Sequence, residues 1–241
     1  MYIIGVTSAE LERQIAAIAS LHDPTRGRLY RYVAERRVEV GRDEAARALR
    51  ISRALAAFHL DKLVAQGLLE ASYRRLTARR GPGAGRPAKL YRRSARHISL
   101  TLPARRYELA GRLLLRALTA VATPAARRAL ARGARAQGRA LGSAARHRAP
   151  YRAAAARRLA GALAVLDECG YEPRRAGDQV RLGNCPFGTL AQECSSVVCR
   201  MNLALVRGVM AAAGAAGVRA ELRPAAGRCC VVLKITARPK H

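Results

Sequence analysis

The stretch Gly41-Arg-Asp-Glu-Ala-Ala-Arg-Ala-Leu-Arg-Ile-Ser-Arg-Ala-Leu-Ala-Ala-Phe-His-Leu-Asp-Lys-Leu-Val-Ala-Gln-Gly-Leu-Leu69 carries two helical patterns separated by a break. The first places Ala45, Ala46 and Leu49 on one side and stops near Arg50. Ser52 is suited to cap the second, in which Ala56, Leu60 and Leu63 recur at i, i+4 and i+7 and so share a buried face. The other face presents Ser52, Arg53, Ala54, Ala57 and Phe58 in its first two turns. This arrangement predicts a helix-turn-helix whose second helix offers those five residues to base edges in a major groove.

Working outward, Gly67 can end that helix in a left-handed conformation, and Leu68 to Leu76 alternates as a strand. Ala88 to Arg93 predicts the returning strand, with Gly81-Pro-Gly-Ala-Gly-Arg-Pro87 as the hinge of the hairpin. Nine Lys or Arg residues and no Asp or Glu lie between Ser72 and His97. A slim, flexible, basic tip of this kind suits phosphates or a minor groove, so Arg79, Arg80, Arg86 and Lys89 are the expected backbone or minor-groove contacts. Helix-turn-helix and basic hairpin together predict a winged DNA-binding domain with double-stranded DNA as partner. The plainer reading is a solvated basic loop beside a three-helix bundle.

The charge balance agrees with a polyanionic partner. The chain has 45 basic against 16 acidic residues, a net charge of +29. Only four of the basic residues are Lys, and Ala and Arg dominate throughout, a bias that G- and C-rich coding DNA produces by itself. The run from Thr123 to Leu159 therefore has two readings, a second nucleic-acid surface or the polar face of ordinary helices. Its single aromatic, Tyr151, favours the second, because stacking platforms need several rings.

With 241 residues, half of them hydrophobic, the chain is long enough for two cores. The apolar Met1 to Val6 lacks a basic leader and a long hydrophobic stretch, and Thr7-Ser-Ala-Glu10 after it reads as a capping box. The expectation is a cytoplasmic protein with no membrane segment. In that reducing setting the six cysteines read as buried thiols, metal ligands or redox sensors rather than disulfides.

An α+β chain in three regions follows. Residues 1–95 would hold a helix over Ser8 to Ser20, a second opened by Asp23-Pro24, the helix-turn-helix and the wing. Residues 96–169 would be a helical dimerisation region, in which Leu109, Leu113, Leu114, Leu115 and Leu118 form an apolar surface suited to a partner helix. A homodimer also matches the two-fold symmetry of paired half-sites. Residues 170–241 would be a small α+β sensor domain with an antiparallel sheet. Its expected parts are a hairpin from Tyr171–Arg174 and Gln179–Leu182, a helix from Ser196 to Ala213, and strands at Val218–Leu222 and Cys230–Ile235.

Five cysteines fall in this last region: Cys185, Cys194, Cys199, Cys229 and Cys230. A turn, a helix start and a strand start can bring thiolates to one end of a small sheet, which would make a soft-ligand site for an iron–sulfur cluster or zinc. Packing as small hydrophobes is the alternative, and for Cys169 at a helix end it is the expected role. No nucleophile–base, paired-carboxylate or phosphate-loop arrangement accompanies the five scattered histidines, so an enzyme is not expected.

The segments Ala57-Phe-His-Leu-Asp-Lys-Leu-Val-Ala-Gln-Gly-Leu-Leu69, Gly85-Arg-Pro-Ala-Lys-Leu-Tyr91, Asn184-Cys-Pro-Phe187, Val198-Cys-Arg-Met-Asn202 and Gly227-Arg-Cys-Cys230 resemble the ArsR-superfamily winged-helix regulators of the iron–sulfur-responsive SufR type. The resemblance runs from about Asp23 to the C-terminus. It implies a transcriptional regulator whose C-terminal cysteines hold an iron–sulfur cluster. By position the implied ligands are Cys185, Cys199 and Cys229 or Cys230, with Cys194 standing where relatives carry His and so a fourth candidate.

Overall fold

The computed structural model describes residues 8–36, 38–75, 87–96, 98, 100, 107–148, 153–225 and 227–236. The chain is α+β with two small antiparallel sheets and divides into two compact units, Met1–Arg105 and Arg106–His241.

In the first unit, α1 (Ser8–Ser20) and α2 (Pro24–Glu35) precede β1 (Val40–Gly41), α3 (Arg42–Leu49), α4 (Arg53–Ala65), β2 (Leu69–Arg74) and β3 (Ala88–Arg93). Local chemistry sets these boundaries. Asp23 accepts the Arg26 N–H at 2.9 Å, and Pro24 supplies the first helical turn, where its missing N–H costs nothing. Arg50 ends α3 at φ 55°, a left-handed conformation unusual outside glycine, and Gly67 at φ 69° turns the chain after α4. Ala56, Leu60 and Leu63 are fully buried with Leu29, Val33, Val40, Leu69 and Tyr91. Removing each of those leucines from water is worth about 1.5–3 kcal/mol. The hairpin pairs Leu69 with Arg93 through Arg74 with Ala88, and β1 adds to β3 in the order β1-β3-β2. The strand expected to reach Leu76 ends at Arg74, and Leu76, residues 81–86 of the hinge and the Thr7 cap lie outside the described residues.

The second unit contains α5 (Tyr107–Val121), α6 (Pro124–Arg148), α7 (Ala155–Glu168), β4 (Pro173–Ala176), β5 (Gln179–Leu182), α8 (Gly188–Glu193), α9 (Ser195–Ala212), β6 (Val218–Leu222) and β7 (Val231–Ile235). Its four strands form one antiparallel sheet, β4-β5-β7-β6. Here the three-region expectation needs correction. Residues 96–169 do not form a region of their own, because Ala145 of α6 and Leu159, Ala162, Val165 and Leu166 of α7 share one core with Val206, Val209 and Met210 of α9 and Val180, Val231 and Leu233 of the sheet.

Glycine makes that core possible. A Cβ on Gly138 would stand 2.0 Å from the Leu205 carbonyl oxygen, one on Gly142 2.5 Å from that of Val209, and one on Gly208 2.3 Å from that of Arg135. Helices α6 and α9 therefore touch backbone to backbone. Among the described residues α9 is the one helix long and apolar enough to cross a membrane. Its Val198, Ala204, Val206, Val209 and Met210 are buried, as in a core helix.

Candidate functional site

The chemistry-bearing residues fall into two groups, one in each unit. In the first, Ser52 accepts the Leu55 N–H at 3.1 Å and so starts α4 as its cap. Arg53, Ala54 and Phe58 are exposed and Ala57 is half-buried. Phe58, 56% exposed, is the largest apolar group on this face, with the Lys62 ammonium 5.8 Å from its ring centre. Lys62 and the exposed Leu55 extend this face beyond the five residues read from the sequence, and the i, i+4 spacing of Phe58 and Lys62 was the available signal.

The acid-free window around the hairpin proves misleading about charge, because carboxylates reach it from outside that window. Arg74 pairs with Glu39 at 3.5 Å, Arg92 with Glu70 at 2.8 Å and Arg96 with Glu10 at 2.7 Å. Arg53 pairs with Asp43 of α3 at 2.6 Å. Exposed pairs of this kind are screened by water and contribute little, so a phosphate can replace the carboxylate. Lys89 was expected to face phosphate, but its ammonium donates to Asp61 of α4 at 2.8 Å, and so does the buried Tyr91 hydroxyl. It thereby ties β3 to α4. Arg79, Arg80 and Arg86 lie outside the described residues.

This tie predicts a pH response. At Asp61 burial raises the carboxyl, but the hydrogen bonds from Lys89 and Tyr91 outweigh it and hold it below the usual carboxylate value. A depressed carboxyl contributes stability above its unfolded pKa of about 3.9 and loses it as pH falls through the folded value. Asp61→Asn is therefore expected to flatten the acid limb of a stability–pH curve below about pH 4. Equal acid sensitivity of the two proteins in urea titrations would remove Asp61 from that role.

In the second unit, the turn after β5 is pinned by hydrogen bonds from Gly183 N–H to the Glu172 oxygen, from Asn184 N–H to the Tyr171 oxygen and from Asn184 Nδ2 to the Gly170 oxygen. Cys185 follows, and its carbonyl accepts the Gly188 N–H to close the Cys-Pro-Phe-Gly turn. Cys229 donates its own N–H to Leu182 at 3.1 Å, which draws the start of β7 to the end of β5. Asn202 of α9 is fully buried between them. Its Oδ1 accepts the Tyr171 hydroxyl at 2.6 Å, while Nδ2 lies 3.2 Å from Cys229 Sγ and 3.9 Å from Cys185 Sγ. Cys185 and Cys229 are in mutual hydrogen-bonding contact.

That contact and then burial push the Cys185 thiol up. At Cys229 the contact with Cys185 acts downward, but Cys230 and burial outweigh it, so this thiol also sits above its ordinary value. Cys199 is half-buried against the same core, three positions before Asn202 on α9. Cys230 is buried beside Cys229. Among the described residues no three His, Cys, Asp or Glu side chains converge as a metal-binding group; the structure brings Cys185 and Cys229 together as a pair. The donor chemistry of that pair, with Cys199 on the neighbouring helix, fits a soft metal or an iron–sulfur cluster.

Cys194 differs from this pair. It precedes α9, shares hydrogen bonds with the Thr119 hydroxyl of α5 at 3.6 Å and the Ser196 hydroxyl at 3.8 Å, and is drawn down in pKa chiefly by the first. Its hydrogen-bond partners are hydroxyls, where those of Cys185 and Cys229 are each other and Asn202. It is the thiol expected to react first with iodoacetamide at pH 7.5, well ahead of Cys185 and Cys229, in a peptide-mapped time course. Equal rates at all sites would contradict the placement. Cys169 packs against the core at the end of α7 and is pushed up by burial and then by Glu168, in keeping with a packing role.

Asn202 and Tyr171 were not singled out as site residues in the sequence. A polar side chain amid the apolar positions of a core helix was the signal for Asn202. No family model, no curated protein and no solved structure matches this chain.

Proposed function

We propose that the chain is a DNA-binding transcriptional regulator that acts as a homodimer, with a winged helix-turn-helix in its first unit and an iron–sulfur cluster held by cysteine thiolates in its second. The observation that carries the DNA-binding part is the combination of α4, buried along Ala56, Leu60 and Leu63 but exposed at Arg53, Ala54 and Phe58, with a basic antiparallel hairpin directly after it. In this reading Arg53 and Phe58 meet bases, and Arg79, Arg80 and Arg86 meet phosphates or the minor groove. Lys89 holds the wing to α4. The uncovered row Leu109, Leu113 and Leu114 on α5, which buries no residue of its own, supports dimerisation through that helix.

For the second unit, Cys185, Cys199 and Cys229 are the proposed ligands. A bound cluster supplies one-electron redox chemistry. The protein's own share is to present thiolates from the β5 turn, α9 and the β7 start in a site walled by core residues. A switch follows only if the DNA-competent and incompetent conformations bind the cluster with different affinity.

The test begins with anaerobic purification, a visible spectrum and iron and sulfide analysis of the wild type and of Cys185→Ser and Cys229→Ser. A coloured wild type and colourless variants are expected. Duplexes selected from a random pool by the same protein should carry two-fold related half-sites. A pool without enrichment would overturn the regulator reading in favour of a nucleic-acid-coating protein. A colourless wild type that still selects a site would leave the regulator intact and move the effector to zinc, thiol oxidation or a small ligand.

A further inference from the structure

A fully buried amide in an apolar core is costly unless each of its polar atoms finds a partner. Asn202 meets that condition with a strong partner at one end and sulfur at the other. Its Oδ1 is locked by the Tyr171 hydroxyl at 2.6 Å, and this fixes which end of the amide faces the sulfurs. The Nδ2 end then points at Cys229 Sγ, 3.2 Å away, and towards Cys185 Sγ at 3.9 Å. A neutral thiol is a weak acceptor, whereas a thiolate is a strong one.

The backbone repeats the same arrangement at both cysteines. The Val231 N–H meets Cys229 Sγ at 3.5 Å, and the Phe187 N–H meets Cys185 Sγ. Each sulfur thus receives an N–H from the residue two positions on, and both share the Asn202 amide. Donors gathered on sulfur, with Cys229 buried and Cys185 half-buried, are matched by negative charge on that sulfur, which it holds when a cation binds it.

We propose that Asn202, oriented by Tyr171, is the positioning residue of the cysteine site: its amide holds the Cys229 and Cys185 sulfurs as thiolates when they ligate a soft metal centre. The inference rests on the reading of these cysteines as ligands and adds the groups that set how electron-rich their sulfurs are. On ligation each thiol releases its proton to solvent, and the sulfur lone pair goes to the metal while the N–H donors stay in place. Hydrogen bonds to ligand sulfur lower the energy of its donor electrons, so they tune both affinity and the energy of sulfur-to-metal charge transfer.

The test uses the full chain, reduced and metal-free, titrated anaerobically with cobalt(II) alone. Wild type is expected to develop near-ultraviolet thiolate-to-cobalt bands that Cys229→Ser abolishes. Asn202→Leu, similar in shape but without donors, is expected to move those bands to longer wavelength and to weaken cobalt binding about 10–100-fold. Tyr171→Phe, which frees the amide without removing it, should shift them less and in the same direction. Should Asn202→Leu fail to fold by circular dichroism, Tyr171→Phe carries the comparison. Folded variants with weaker binding but unshifted bands would reduce Asn202 to a packing role, and a wild type without thiolate bands would overturn the proposal outright. Cobalt requires neither iron nor sulfide. Shifted bands in a protein that accepts no cluster would therefore sustain the role of Asn202 and sink only the iron–sulfur reading.

Discussion

Replacing Gly138 or Gly208 with leucine is expected to unfold the second unit, with a loss at the upper end of single-residue effects, about 4–5 kcal/mol. Ordinary overpacking costs about 1–3 kcal/mol because side chains around the new atoms can rearrange. Here the obstructing atoms are backbone: the Leu205 carbonyl stands 2.0 Å from a Cβ at Gly138, and the Arg135 carbonyl 2.3 Å from one at Gly208. Relief requires α6 and α9 to move apart and open the core that contains Ala145, Val206, Val209 and Met210. Against a typical domain stability of about 5–15 kcal/mol such a loss is decisive.

Gly133 supplies the internal control on the same helix. Nothing lies within 4 Å of a Cβ there, so Gly133→Ala is expected to stabilise α6 by about 0.5–1 kcal/mol through the backbone entropy glycine would lose. Urea unfolding followed by far-ultraviolet circular dichroism would separate the two. If Gly138→Leu unfolded at the wild-type midpoint, α6 and α9 would not be in backbone contact.

The second large effect concerns salt. If the dimer engages six to ten phosphates, affinity for a selected duplex should fall by about 10³–10⁵ between 50 and 200 mM salt. A net charge of +29 makes some attraction to any polyanion inevitable, so salt sensitivity alone does not separate a sequence reader from a coating protein. The residue roles do. Arg53→Ala should relax preference at one position of the site, costing about 1–3 kcal/mol on the preferred sequence and little on others. Arg86→Ala should weaken all sequences alike and reduce the salt slope by about one. Because Arg53 rests against Asp43 at 2.6 Å, binding must exchange that carboxylate for a base edge. Equal losses on every sequence from both changes, measured by fluorescence anisotropy, would remove Arg53 from base reading.

How far each feature could be read in advance follows the range of the interaction behind it. The helix pair, its Ser52 cap, the Gly67 turn and the strand at Ala88–Arg93 depend on residues within one or two turns of one another, and the sequence by itself determined them. The hairpin after Tyr171 was legible for the same reason, since Gly177-Asp178 supplies the turn, although its first strand runs Pro173–Ala176 rather than Tyr171–Arg174, because Glu172 at φ 51° interrupts extended backbone. The cysteines could be recognised as a group but not sorted. Which of Cys229 and Cys230 meets Cys185 depends on the register of β7 against β5, Val180 with Leu233, and adjacent strand residues face opposite ways.

The Arg-rich run from Thr123 to Leu159 was the least legible part. Composition there leaves two readings open, and the spacing of Gly138 and Gly142 acquires meaning only when Gly208, some seventy residues on, meets the same crossing. The charge of the hairpin was misjudged for a related reason: Glu10 of α1, Glu39 just before β1, Asp61 of α4 and Glu70 near the start of β2 reach its cations from outside the acid-free window. Local periodicity and capping thus determined the elements and the face that α4 exposes. Only the tertiary structure decided the helix crossing, the pairing of charges and the amide set between two thiols. Each of these joins atoms distant along the chain, and no local preference encodes such a meeting.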